Sequence, residues 1–179
     1  MRTIRPILIC CLLWLTSGAS AQDSLYRVSY DNEGNKVLTG RISESLLAND
    51  PAFPWFYSGV NRYSPDTAMI RYISANRDSF SLVVFAGTWC SDTKHLLPEF
   101  YRVMIASSYP LNRILIYGVD TSKKALGDET KKYQITNVPT IILLYHGREV
   151  GRIVESTRKN IETDLAALIY RMTKMEPKT

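Results

Sequence analysis

Hydrophobic positions fall into two kinds of run along this chain. Short apolar runs rich in β-branched and aromatic residues occupy 81–86, 114–119 and 140–145, the pattern of strands buried on both faces. Longer stretches carry apolar residues at helical spacing. These are Met69, Ile70 and Ile73 behind Asp66; Leu96, Leu97, Phe100, Val103 and Met104 within 91–107; and Ile161, Leu165, Leu168, Ile169 and Met172 further on. Each predicts an amphipathic helix with one face for a core. Asp66 is placed to cap the first of these helices, and Ser156 or Thr157 the last. Residues 127–133 predict a short polar helix. Residues 149–154 predict a strand joined to 140–145 through His146-Gly147, a tight turn where glycine accepts positive φ. The order β-α-β-α-β-β-α gives parallel strands from its β-α-β unit and antiparallel ones from the hairpin. The expected fold class is therefore α/β, a central mixed β-sheet flanked by helices.

Upstream the pattern is weaker. Tyr26, Val28 and Tyr30 alternate with polar residues, and Asp31-Asn32-Glu33-Gly34-Asn35 is rich in turn formers before 36–42. Together they predict a hairpin. Residues 43–49 predict a short helix ended by Pro51. Between 51 and 65, Pro51, Pro54 and Pro65 punctuate Phe53, Trp55, Phe56, Tyr57 and Tyr63. That stretch reads as irregular chain packing aromatic rings on the main body. Residues 22–65 are thus expected to form an N-terminal extension on a main domain of residues 66–179.

Residues 1–21 differ from the rest. Arg2 and Arg5 precede an unbroken apolar run at 7–15, and Ala19-Ser20-Ala21 has the A-x-A form of a signal-peptidase site. This is the order of a secretory signal, with an apolar run too short to span a bilayer. The expectation is an exported protein, periplasmic or secreted, with no stable membrane insertion once the signal is removed. An apolar fraction of 45% and a charged fraction of 22% in 179 residues suit one soluble globular domain. Loss of Arg2 and Arg5 takes Lys+Arg from 22 to 20 against 17 Asp+Glu, a balance of +3. The basic residues are scattered, which argues against a nucleic-acid partner. Cleavage also removes Cys10 and Cys11 and leaves Cys90 as the lone cysteine, in a compartment that permits disulfides. Such a cysteine is reactive, paired between chains, or buried, so the oligomeric state stays open.

Several local motifs fit the element order. Phe85-Ala86-Gly87-Thr88-Trp89-Cys90 ends the first main strand, and Lys94 and Pro98 follow Cys90 in the next helix. A Val119-Asp120 pair ends the following strand, Tyr133 to Thr140 contains Val138-Pro139-Thr140, and Gly147 and Gly151 sit in the final hairpin. Together these residues resemble the thioredoxin-like superfamily over roughly 66–174. The resemblance implies a thioredoxin-like three-layer fold, a cis Val138-Pro139 bond, and Cys90 at the active-site position. Two departures stand out. Thr93 occupies the position of the family's second cysteine, giving Cys90-Ser91-Asp92-Thr93, a variant Cys-x-x-Thr motif. Val84 occupies the position of its buried carboxylate. With resolving thiol and proton acceptor both replaced, an unaided dithiol–disulfide cycle is not expected.

What remains is chemistry for one sulfur. The thiolate is the nucleophile, and a helix start favours it by roughly 0.3–2 kcal/mol. Asp92, if about 7 Å away, opposes it by roughly 0.6–2.4 kcal/mol, and Lys94 offsets part of that, so the net sign is open. Thr93 is expected to donate a hydrogen bond to the sulfur. Val138 and Pro139 would offer a backbone platform to an extended peptide, with Trp89 covering one edge. His95, Asp92 and Glu99 are expected to be solvated. Two histidines and one mature cysteine supply no metal-ligand set, and no cofactor is expected. The expected function is monothiol thiol–disulfide exchange with protein or peptide thiols and disulfides, or with a small thiol. The alternative is a non-catalytic module that binds a peptide or protein partner.

Overall fold

The computed structural model describes residues 25–175; the signal-like segment lies outside the described residues. Tyr26–Tyr30 (β1) and Lys36–Ile42 (β2) form the expected hairpin. Two helices follow, Glu44–Asn49 (α1) and Pro54–Arg62 (α2). The second corrects the expectation of irregular chain at 51–65. Pro54 stands at the start of the helix, where a missing N–H costs nothing, so the prolines bracket the helix rather than break it.

Thr67–Asn76 (α3) begins where expected, its Asp66 carboxylate accepting from the amides of Ala68 (2.7 Å) and Met69 (3.1 Å). Ser81–Ala86 (β3), Ser91–Ala106 (α4), Ile114–Gly118 (β4), Glu129–Lys132 (α5), Thr140–Tyr145 (β5), Arg148–Val154 (β6) and Ile161–Thr173 (α6) complete the order. His146 and Gly147, both at positive φ, make the β5–β6 turn. The cap of α6 is Asn160, whose side chain accepts from the Thr163 amide at 3.0 Å, and not Ser156 or Thr157.

Among the described residues six strands join one sheet in the order β1-β2-β4-β3-β5-β6. The β3–β4 pair is parallel and the others are antiparallel, as a mixed sheet requires. The N-terminal hairpin thus does more than pack on the main body. It extends the sheet, pairing Gly40 with Gly118 and Ile42 with Ile116. Gly118 makes that approach possible, because a Cβ there would strike the Leu38 carbonyl.

Alternation along β3 divides the interior. Leu82, Val84 and Ala86 face the larger core with Leu38, Phe56, Ile73, Leu97, Phe100 and Leu165. Val83 and Phe85 face a smaller cluster with Val119, Val138 and Ile142, closed by Tyr133 and Ile135 beside α5. Trp89 and Cys90 pack against this smaller cluster, at the end of the sheet where β3 hands over to α4.

Candidate functional site at the start of α4

Residues 87–90 make a tight connection from strand to helix, closed by a hydrogen bond from the Cys90 amide to the Gly87 carbonyl at 2.9 Å. Cys90 is the N-cap residue of α4, extended at φ −77° and ψ 130°. Its sulfur therefore stands at the helix end where unpaired amides and the positive end of the dipole lie. Cys90 is half-buried, and its thiol donates to the Val138 carbonyl at 3.3 Å. The sequence-expected pair, Cys90 and the Val138-Pro139 turn, does meet, and the Val138–Pro139 bond is cis.

Neighbouring bonds hold that turn. The Thr140 hydroxyl donates to the Asn137 carbonyl (2.7 Å), Lys123 Nζ donates to Asn137 Oδ1 (3.1 Å), and the Glu155 amide donates to the Pro139 carbonyl (2.8 Å). Trp89 is anchored through its indole N–H, which donates to the Val119 carbonyl at 3.1 Å. The ring lies over Gly87, where a Cβ would come within 2.8 Å of Trp89 Cε2.

Thr93 sits differently from the expectation. It is fully buried, and its hydroxyl oxygen accepts from the Gly87 amide at 3.2 Å. The bond at the sulfur runs from the Cys90 thiol to the Val138 carbonyl. Thr93 thus fastens the start of α4 to the end of β3. Val84 is also fully buried, paired with Ile116 and Ile141 in the sheet, so the position is closed to solvent.

Asp92 is exposed in the first turn of α4, and Lys94 is half-buried. The Lys94 charge acts on Asp31 of the N-terminal hairpin. His95 is exposed as expected. Glu99 is not solvated: its side chain is 20% exposed, with His95 Nε2 3.6 Å away. Burial pushes its carboxyl above the usual carboxylate range, and His95 opposes the shift.

One participant had no signal in the sequence. Thr88, 2% exposed, donates its hydroxyl proton to the Lys36 carbonyl (2.8 Å) and accepts from the Leu38 amide (3.2 Å). One buried hydroxyl thereby ties β2 to the residue next to Trp89. A lone threonine between glycine and tryptophan predicts nothing about a partner some fifty residues upstream.

Residues 67–169 match the family model described as Thioredoxin. Thioredoxin-1 of Saccharomyces cerevisiae is 29% identical over 91 residues, spanning 51% of this chain and 82% of that protein. The thioredoxin of Chlamydia pneumoniae is 31% identical over 103 residues, covering 54% of this chain and 95% of its own length. Thioredoxin H2 of Arabidopsis thaliana is 23% identical over 113 residues, 62% of this chain and 80% of that one. With more than half of its length matched by the family model, the chain belongs to the thioredoxin family, a family of thiol–disulfide redox proteins.

Proposed function

We propose that this chain is an exported thioredoxin-family protein that performs monothiol thiol–disulfide exchange through Cys90. The observation that carries the reading is the half-buried Cys90 sulfur at the N-terminal end of α4, 3.3 Å from the Val138 carbonyl. Deprotonated, Cys90 attacks a disulfide of a protein or peptide substrate. A bond forms between Cys90 Sγ and one substrate sulfur, the substrate's S–S bond breaks, and the second sulfur leaves as a thiolate. Val138 then has a carbonyl free to accept from a peptide backbone N–H, and Trp89 borders the bound chain. Thr93 and Val84 offer neither a second thiol nor a proton acceptor, so the mixed disulfide persists until a separate thiol attacks it. Thr93 acts as a positioning residue through the Gly87 amide.

Export is supported by the charged, apolar, small-residue order of residues 1–21. Among the described residues no helix is long and apolar enough to cross a membrane. Intact mass of the protein recovered from its native compartment is expected to show a chain starting at Gln22, with Cys90 free or carrying a thiol adduct.

The exchange is tested with a cysteine peptide activated as its 2-thiopyridyl disulfide. The folded protein is expected to form a mixed disulfide that Cys90→Ser abolishes. Reaction only after denaturation would sink the reading. The closed loop around Thr93 favours a second one, a binding module without chemistry. In that case Cys90→Ser would retain a protein partner under reducing conditions as well as the parent does.

A further inference from the structure

The family match begins at residue 67, yet the N-terminal hairpin reaches the site. Through Thr88, β2 is bonded to the connection that carries Trp89 and Cys90. The β1–β2 turn then faces Trp89 across an open trench of about 360 Å³, lined by Tyr30, Asp31, Asn32 and Glu33 on one side and Trp89 and Thr121 on the other.

The turn is built to keep its shape. The Asp31 carboxylate accepts from the amides of Glu33 (2.9 Å) and Asn35 (2.8 Å) and from Asn35 Nδ2 (2.9 Å). Gly34, at φ +80°, closes the reversal. The Asn35 side chain and, least, the Lys94 charge hold the Asp31 carboxyl below the usual range, so Asp31 is ionised across the neutral range. Glu33 is exposed beside it, and Tyr30 is 68% exposed.

We propose that the β1–β2 turn is a substrate-selecting wall of the Cys90 site, and that the trench between it and Trp89 takes an arginine or lysine flanking the reacting cysteine of a polypeptide substrate. The chemistry on both sides fits that occupant. Two aromatic residues line the trench, Tyr30 and Trp89, which suits an aliphatic stem and a cationic head, and Asp31 and Glu33 supply opposite charge. Trp89, which lines the trench, adjoins Cys90 in the chain, so an occupant of the trench would flank the reacting cysteine. The proposal rests on the exchange reading above.

The test uses the folded protein and three peptides, each with one cysteine as its 2-thiopyridyl disulfide, flanked by arginines, glutamates or serines. Cys90 attack joins its sulfur to the peptide and releases pyridine-2-thione, which is followed by absorbance. At low ionic strength the arginine peptide is expected to react about tenfold faster than the glutamate peptide, the low end of electrostatic steering. About 0.5 M salt should erase most of that ratio. Glu33→Lys, at an exposed position, is expected to bring the ratio near one, as is Asp31→Asn combined with Glu33→Gln. Asp92→Asn, on α4, is expected to leave the ratio above about fivefold.

Equal rates with all three peptides would overturn the wall and leave the exchange reading standing. So would a ratio that collapses in Asp92→Asn but survives Glu33→Lys. No reaction even with the serine peptide would overturn the exchange reading, and the wall with it.

Discussion

Residues 25–66 and 67–169 share one sheet but come to be buried by different routes. In the family-matched region, β3 is buried from Leu82 to Ala86, and its apolar run demands that position wherever the strand is placed. In the N-terminal region, β1 is almost wholly exposed while β2, its hairpin partner, is buried at Val37, Leu38 and Ile42. The asymmetry comes from position. β2 lies between β1 and β4, and β1 is the sheet edge. The same holds for α2, where Phe56 sits edge-on to Tyr101 of α4 at 5.3 Å and Gly59 lies against Pro98. The first region carries its own core pattern; the second borrows surfaces from the first. The extension contributes Leu38, Leu47, Phe53 and Phe56 to the larger core that the matched region builds.

The strongest way to break that contrast is to remove the borrowed contact. Phe56→Ala is expected to destabilise the whole protein by about 3–5 kcal/mol, the usual loss for a buried phenylalanine. Urea unfolding followed by far-UV circular dichroism and by tryptophan fluorescence should give one coincident transition. Two separate transitions would mean that the N-terminal region is an independent layer.

Gly118→Ala comes next, because the new Cβ meets the Leu38 carbonyl on a neighbouring strand rather than a flexible side chain. Overpacking against backbone is expected to cost about 3 kcal/mol, and amide exchange should speed up first in β1 and β2. A cost below about 0.5 kcal/mol would show that the β2–β4 pairing is looser than its register implies.

How far the sequence could be read follows the same divide. The three buried strands, α3, α4 and α6 were legible because period and composition alone specify them, and the motif around Cys90 pointed to the candidate site. In α2, prolines and aromatics resembled irregular chain because a nine-residue helix with no side-chain cap gains its stability from α4. The Asn160 cap was missed because Ser156 and Thr157 offered the same chemistry a few residues earlier. Glu162, 1% exposed, was hidden for a similar reason: its carboxylate accepts from the Tyr63 hydroxyl (2.7 Å) and the Asp66 amide (2.9 Å), partners about a hundred residues upstream. The buried bond from the Gly87 amide to the Thr93 hydroxyl oxygen had no signal, because spacing gives a helical turn and says nothing of a loop amide.

Thr88→Val sharpens the comparison at one bond pair. The shape is kept, but the half-buried Lys36 carbonyl and the buried Leu38 amide lose their shared partner. A cost of about 1–2 kcal/mol is expected. If the hairpin matters to the site, the arginine-over-glutamate preference of mixed-disulfide formation should fall as well. A stability loss with the preference intact would confine Thr88 to structure.

The smallest effect separates the regions by the sign of their pH dependence. In the N-terminal region the Asp50 carboxyl is held below its usual range, first by the Lys36 ammonium bonded to it and then by the Ala52 amide. A depressed carboxyl contributes stability that is present above its unfolded-state value and lost as pH falls through its folded value. In the matched region Glu99 is raised by burial, with His95 opposing. Its contribution is fully present below the unfolded-state value and is lost as pH rises through the folded one. Urea midpoints measured from pH 3 to pH 7 should therefore respond oppositely to two substitutions. Asp50→Asn should reduce the loss on acidification, whereas Glu99→Gln should remove a loss that otherwise accompanies the climb from about pH 4 toward neutrality. If both substitutions changed the slope in the same direction, the carboxyl of Glu99 would have to be solvated or ion-paired with His95 strongly enough to outweigh its burial, and the two regions would no longer differ in sign.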